Sequence, residues 1–224
     1  MQKLVQGIHQ FQTQVFRSHQ ALFEELETHG QTPETLFITC SDSRINPNLI
    51  TQTQPGELFI LRNVGNLVPP YENMGSTAAG IEFAVAGLQV KDIIICGHSN
   101  CGAMKALLEP EQQLDGMPAT RAWLSHARKT EQIMWQSYGH LHGDALLHAT
   151  VEENVLVQVE NLRSHPAVAK AVATGQLHLH AWVYKIQTGE VFAFDPGTGQ
   201  YTSVTGLDGL SPLDAEHRTT DLSI

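Results

Sequence analysis

Cysteine is scarce in this 224-residue chain: there are three, an odd number and far too few for a disulfide framework. That excludes the small cross-linked secreted scaffold and agrees with a reducing compartment. Basic residues are scarce too, 13 lysines and arginines against 23 aspartates and glutamates, for a formal net charge of −10. Phosphate binding needs a clustered basic surface, so nucleic acid is not expected as a partner. An anionic substrate would need local positive charge, from arginine or a metal. Long apolar runs are missing, and none approaches the roughly 18 residues of a membrane span. The opening "MQKLVQGIHQFQTQ" has no short apolar segment before a small-residue cleavage site, so it does not read as a secretory leader. A cytoplasmic protein is expected. At 42% hydrophobic and 16% charged residues, the chain suits one α/β domain with a full core.

Leu4, Ile8, Phe11, Val15, Leu22 and Leu26 recur at three- and four-residue steps with one step missed, which predicts an amphipathic helix over residues 2–28, ended by Gly30. Strands are expected at "TLFITC" (35–40) and "GELFILRNVGN" (56–66), with a short helix or turn between them. "GSTAAGIEFAVAGLQV" (75–90) reads as a helix opened by Ser76 or Thr77, with Gly80 and Gly87 permitting close helix approach. The uninterrupted apolar run Ile93–Cys96, followed by a glycine turn and a helix from Cys101 or Gly102, has the pattern of a parallel sheet covered on both faces. Two helices follow within 110–145, then another through Val151, Val155, Val159 and Leu162, closed at His165-Pro166. "QLHLHAWVYKIQTGEVFAFD" reads as a hairpin of two strands turning at 187–190. The expected organisation is an arm (1–30), an α/β domain (31–195) and a weakly ordered tail (196–224).

Two of the strand ends carry metal-type side chains, Cys40 with Asp42 on one and His98 with Cys101 on the other. Ligands in open α/β sheets bind beyond such ends. His98-x-x-Cys101 lets both side chains face one point, and two thiolates with one imidazole are a zinc set whose fourth position stays free for water, the arrangement of a catalytic site. On the residues alone a plainer reading stays open, with Cys40 as a buried small residue and Asp42 as a helix cap. Cys96, on the apolar strand, reads as core. The HLH triplets at 140–142 and 178–180 read as surface or structural histidines.

"CSDSR" (40–44), "RNVGN" (62–66) and "HSNCGA" (98–103), in this order and at these separations, resemble the β-class carbonic anhydrases. The resemblance covers about residues 3–195. It implies a mostly parallel α/β sheet, a dimer embraced by the amino-terminal arm or a dimer of dimers, and the reversible hydration of carbon dioxide to bicarbonate and a proton. It also implies one Zn2+ per chain on Cys40, His98 and Cys101. Asp42 and Arg44 look like the family's dyad, the guanidinium holding one carboxylate oxygen while the other accepts from zinc-bound water. Gln31 stands where an always-open subgroup has a substrate-binding glutamine, and Phe37 where the bicarbonate-inhibited subgroup has tryptophan; Arg62 and Tyr184 sit near where that second subgroup builds its anion pocket. Phe59, Val64 and Phe83 match an apolar substrate wall, and the backbone of Gly102 is expected beside the site. "NPNLITQ", "RNVGNLVPPY" and "CGHSNCGAMK" together look closest to the cyanobacterial carboxysomal type, which implies a carboxysome shell or scaffold protein as a further partner. Two other functions are weighed: a zinc hydrolase of carbon disulfide or a similar cumulene, and a silent bicarbonate-responsive interaction protein.

Overall fold

The computed structural model describes residues 1–205 and 213. They fall into two units, Met1–Thr32 and Pro33 onward.

The first unit is helical but interrupted. Helix α1 (Gln2–Gln10) runs into a widened π-type turn (Phe11–Val15) and a last turn (Phe16–Ser18), and α2 (Gln20–His29) follows. The single helix expected over 2–28 is therefore corrected at His19, whose φ of −116° and ψ of 11° break it. The missed apolar step between Val15 and Leu22 is where the break falls. Phe16 and Phe23 stack across it at 5.4 Å, and Phe11 meets both edge-on.

The second unit is a six-stranded sheet in the order β2-β1-β3-β4-β5-β6. Strands β1 (Thr35–Cys40), β2 (Leu58–Asn63), β3 (Asp92–His98) and β4 (His178–Tyr184) are parallel; β5 (Val191–Asp195) and β6 (Gln200–Ser203) continue antiparallel. Regular structure was expected to end at Asp195, and β6 corrects that: Gln200 pairs with Asp195 and Ser203 with Phe192. Leu213 donates its N–H to the Leu179 carbonyl. The rest of the expected tail, 206–212 and 214–224, lies outside the described residues.

Alternate residues of the strands face two layers. Leu36, Ile38, Ile93, Ile95, Leu179, Ala181 and Val183 join the larger core with the helices, while Phe37, Ile94 and Cys96 face the other way with Trp182 and Tyr184. Helix α3 (Pro47–Thr51) is opened by Asn46, whose side chain accepts from the Leu49 amide. Helix α4 (Ser76–Glu82) has Gly75, not a serine or threonine, at its cap, and it continues as a π-type turn to Gly87. Gly80 is needed for close packing: a Cβ there would lie 2.7 Å from Leu61 Cδ2 on β2, whereas one at Gly87 would meet only Phe83 of the same helix. Helix α5 (Gly102–Leu108) leaves the end of β3, α6 (Pro118–Leu124) and α7 (Arg128–Ser137) fill the polar stretch, and α8 (Gly143–Arg163) crosses the sheet with Val151, Val155, Val159 and Leu162 buried. His165-Pro166 closes α8 as expected but also opens α9 (Pro166–Ala173), with proline in its first turn. No helix among the described residues is long and apolar enough to cross a membrane.

Gly97 is the point where α8 sits on β3, since a Cβ there would stand 2.7 Å from Val155 Cγ2 and 3.1 Å from Val151 Cγ1. Gly97→Ala should lower the chemical-denaturation midpoint by the equivalent of about 1–3 kcal/mol, the usual cost of overpacking. Gly116→Ala, which meets nothing within 4 Å, should leave it within about 0.5 kcal/mol. Equal midpoints for the two variants would show that α8 yields at this contact.

Candidate metal centre

From β1 the chain passes to β2 on one side and then to β3 on the other, so the strand order reverses at β1 and β3. Crevices form where strand order reverses, beyond the carboxyl ends. Cys40 ends β1 and His98 ends β3, and the register puts Thr39 opposite Cys96, so both side chains leave the sheet at nearly one level. Cys101 follows on the turn and precedes α5. The three ligand atoms lie within 4.8 Å of one another, and all three residues are buried.

The local folding is explicit. The Ser41 amide donates to the Asn63 carbonyl, extending the β1–β2 ladder beyond Cys40, and Arg62 donates through Nε to the Cys40 carbonyl and through Nη2 to the Asp42 carbonyl at 2.8 Å. The turn 98–101 is tied to the hairpin, with the Ser99 amide on the Tyr184 carbonyl and the Ser99 hydroxyl taking the Ile186 amide and giving to Gln187. His98 Nδ1 lies 2.9 Å from the Ser99 carbonyl, an acceptor, so Nδ1 carries the proton. Nε2 is then a bare lone pair, buried and without a hydrogen-bond partner.

That orphaned nitrogen beside two thiols fits a soft divalent cation. A hydrogen bond from Cys101 is the largest influence pulling the Cys40 thiol down, to about 4, and the Gly65 N–H, 3.4 Å from its sulfur, acts the same way. The same contact with Cys40, together with burial, pushes Cys101 up, although the amides of Met104 and Ala103 oppose it. A bound cation removes the like-charge conflict, so both sulfurs ionise together only with a metal between them. Burial pushes Cys96 up to about 12, which makes it an inert core thiol.

Asp42 stands at the edge of this triad, Oδ2 3.8 Å from His98 Nε2. Arg44 grips both oxygens, its Nε at 2.9 Å from Oδ1 and Nη2 at 2.8 Å from Oδ2, while its own amide also reaches Oδ1. The sequence reading gave the arginine only one oxygen. Nη2 further donates to the Asn100 carbonyl, tying the dyad to the His98–Cys101 turn. The Arg44 hydrogen bonds hold the Asp42 carboxyl well below the usual carboxylate range.

The other expected positions are scattered. Val64 follows β2 beside Cys40, its carbonyl accepting from Trp123 Nε1 at 2.7 Å, and it lines a cavity of about 600 Å³ with Ser41, Arg62, Thr77 and Trp123. Gly102 is the exposed first residue of α5, with open space where a Cβ would project. Phe59 and Phe83 pack on each other at 5.8 Å, but Phe59 is level with Leu36, four residues or about 13 Å short of Cys40. Phe37 is buried edge-on to Trp182 at 6.2 Å. Gln31 falls in the first unit, exposed, beyond the end of α2. Sequence reasoning missed Gly65, Asn100 and Trp123, which act here through backbone groups or the indole N–H; the positive φ expected at glycine and asparagine turns was the available signal for the first two.

Cys101→Ala should abolish stoichiometric metal uptake, whereas Cys96→Ala should keep it, as measured by metal analysis after dialysis. Equal loss in both would mean that the cysteines are wrongly assigned.

Comparison with known proteins agrees with this geometry. The family model described as carbonic anhydrase matches residues 35–191. The Synechocystis carbonic anhydrase is 45% identical over 196 residues, 87% of this chain and 71% of that protein, and the Pseudomonas aeruginosa one is 44% identical over 205 residues, 91% and 92%. Among solved structures, the β-carbonic anhydrase CcaA superposes with a TM-score of 0.88 at 44% identity over 91% of both chains. A tetrameric β-carbonic anhydrase from Sordaria macrospora does so at 0.79, with 27% identity over 90% and 98%. With its zinc-type donor set at the reversal of the sheet, this chain belongs to the β-carbonic anhydrase family.

Proposed function

We propose that the chain catalyses the reversible hydration of carbon dioxide to bicarbonate and a proton, with one Zn2+ per chain held by Cys40, His98 and Cys101. The observation that carries this reading is the buried three-donor cluster with its unpartnered His98 Nε2 and an arginine-clamped carboxylate at its edge. When bound, zinc supplies a Lewis acid that makes a water-derived nucleophile available near neutral pH. The chain supplies the rest. Three protein ligands leave a fourth position free. Arg44 keeps Asp42 ionised and aimed, and Asp42 Oδ2 retains acceptor capacity to orient the nucleophile. Val64 presents an apolar wall suited to a nonpolar gas, and Gly102 leaves room for it.

The open form of the site is the one this geometry supports. Arg62 spends two of its donors on the Cys40 and Asp42 carbonyls, and Phe37 and Tyr184 lie in the sheet's second apolar layer with Trp182. Phe59, Phe83 and Gln31 serve a site in this reading only when a second chain brings them to it. A homodimer, or a dimer of dimers, is therefore part of the proposal, with the arm (1–30) embracing the partner through its stripe Leu4, Ile8, Phe11 and Val15. The catalytic domain then runs from 31 through β6, which completes its sheet. A cytoplasmic protein of carboxysomal type, bound to a shell or scaffold protein, is the finer reading. Its support is the motif set and the likeness to the Synechocystis and Synechococcus elongatus enzymes.

Stopped-flow hydration on protein assayed for zinc tests the activity: one zinc per chain with no hydration from pH 7 to 9 would refute it. Arg44→Ala should keep its zinc but lose at least about tenfold in hydration at pH 7.5, equivalent to roughly 1.4 kcal/mol of barrier. The freed Asp42 carboxylate then competes for the fourth position, so activity should partly return at high pH. Full activity at pH 7.5 would reduce Arg44 to a structural ion-pair partner. Sedimentation should give twice the 24.6 kDa chain mass or more; a compact species at the chain mass would contradict the embracing arm.

A further inference from the structure

Two of the carboxamides on helix α8, Asn154 and Gln158, are fully buried, at 1% and 0% exposure. Buried amides are stable only when their donors and acceptors are matched, and here the matching fixes the direction of each group. The Val68 amide, which can only donate, gives to Gln158 Oε1 at 2.8 Å. Gln158 Nε2 gives to Asn154 Oδ1 at 3.0 Å, and the Thr130 hydroxyl gives to the same oxygen at 3.3 Å. Asn154 Nδ2 is left as the donor, and it meets the Gly65 carbonyl, which can only accept, at 3.2 Å. A one-way series of hydrogen bonds thus runs from the Val68 amide to the Gly65 oxygen.

Gly65 is also the residue whose N–H points to Cys40 Sγ at 3.4 Å. Its φ of 79° and ψ of 18° lie in the left-handed region, and a Cβ there would come within 3.0 Å of Ala103 Cβ on α5. Its amide therefore faces the sulfur while its carbonyl is held from α8. We propose that Asn154 is a positioning residue of the metal centre: by fixing the Gly65 carbonyl it aims the Gly65 N–H at the Cys40 sulfur. The inference rests on the reading of Cys40 as a metal ligand. An N–H donated to a ligand sulfur withdraws electron density from it, and groups that orient a ligand also set its donor strength.

The test uses the full chain with cobalt(II) in place of zinc and compares Asn154→Ala and Asn154→Asp with Asn161→Ala. Asn161 lies on the same helix and donates to the Val68 carbonyl at 2.9 Å and to Gln158 Oε1 at 3.3 Å, one step back along the series, without contacting Asn154 Nδ2 or Gly65. Aspartate at 154 keeps the shape but sets an acceptor against the Gly65 oxygen. In both 154 variants the thiolate-to-cobalt charge-transfer band should move to longer wavelength. The Gly65 amide should also exchange with solvent at least about tenfold faster, the scale of one hydrogen bond. Asn161→Ala, which leaves the Asn154–Gly65 bond in place, should lower the thermal midpoint and move both clearly less than either 154 variant. If the 154 variants do not fold, Thr130→Val, which removes one donor to Asn154 Oδ1, should give a smaller shift of the same sign. An unmoved band with unchanged Gly65 exchange in the folded variants, or equal shifts in Asn161→Ala, overturns the proposal. Unmodified protein with no thiolate-to-cobalt band would instead overturn the ligand reading beneath it, and the missing band tells the two failures apart.

Discussion

The parallel pairing of β1 with β3 is the constraint on which the rest of this structure depends. Thr35 to Thr39 lie opposite Asp92 to Cys96 in unbroken register, so two strands more than fifty residues apart end side by side. A one-residue slip would turn every side chain to the opposite face, sending Cys40 to the layer of Phe37 and separating it from Cys101. The register is held by what packs on both faces: Leu36, Ile38, Ile93 and Ile95 on one, Phe37, Ile94 and Cys96 on the other. The Thr39 hydroxyl adds a buried hydrogen bond to the Cys96 carbonyl at 2.8 Å. The site's geometry is thus a consequence of core packing.

Given that register, the chemistry follows from a conflict of charge. Two buried thiols and a bare imidazole nitrogen lie within 4.8 Å of one another, and ionising both thiols there sets two negative charges side by side unless a cation joins them. Asp42 would worsen the conflict were it free. Arg44 resolves it by occupying both carboxylate oxygens and by anchoring to the Asn100 carbonyl, so an acid can stand next to the centre without closing it. One guanidinium thereby links the turn after β1 to the turn after β3, the two segments that carry the ligands.

The parts of the fold that follow hydrophobic periodicity were legible in the sequence. Thr35–Cys40 was read to the residue, and the apolar run at Ile93–Cys96, the helix after Cys101 and the hairpin after Leu177 were all found. The ligand triad was legible because the strand ends and motif spacing coincide. What escaped has a common physical origin. Asn154 and Gln158 look like a solvent face in a list of residues, and only the backbone groups they meet, brought from 89 and 90 residues away, show them to be interior. The break at His19 follows from backbone angles and ring stacking, which leave only a missed step in the pattern. Strand β6 is short and glycine-flanked, so its pairing with β5 supplies what its composition lacks. Phe59 and Phe83 were grouped with the site by motif, but the strand rise places them well below it within one chain.

X-ray absorption at the zinc edge of the purified protein tests the central claim most directly, because it counts ligand atoms without reference to activity. A triad of Cys40, His98 and Cys101 with one further light atom should give two sulfurs at about 2.3 Å and nitrogen or oxygen neighbours at about 2.0–2.2 Å. A first shell with one sulfur, with none, or with sulfur alone would contradict it.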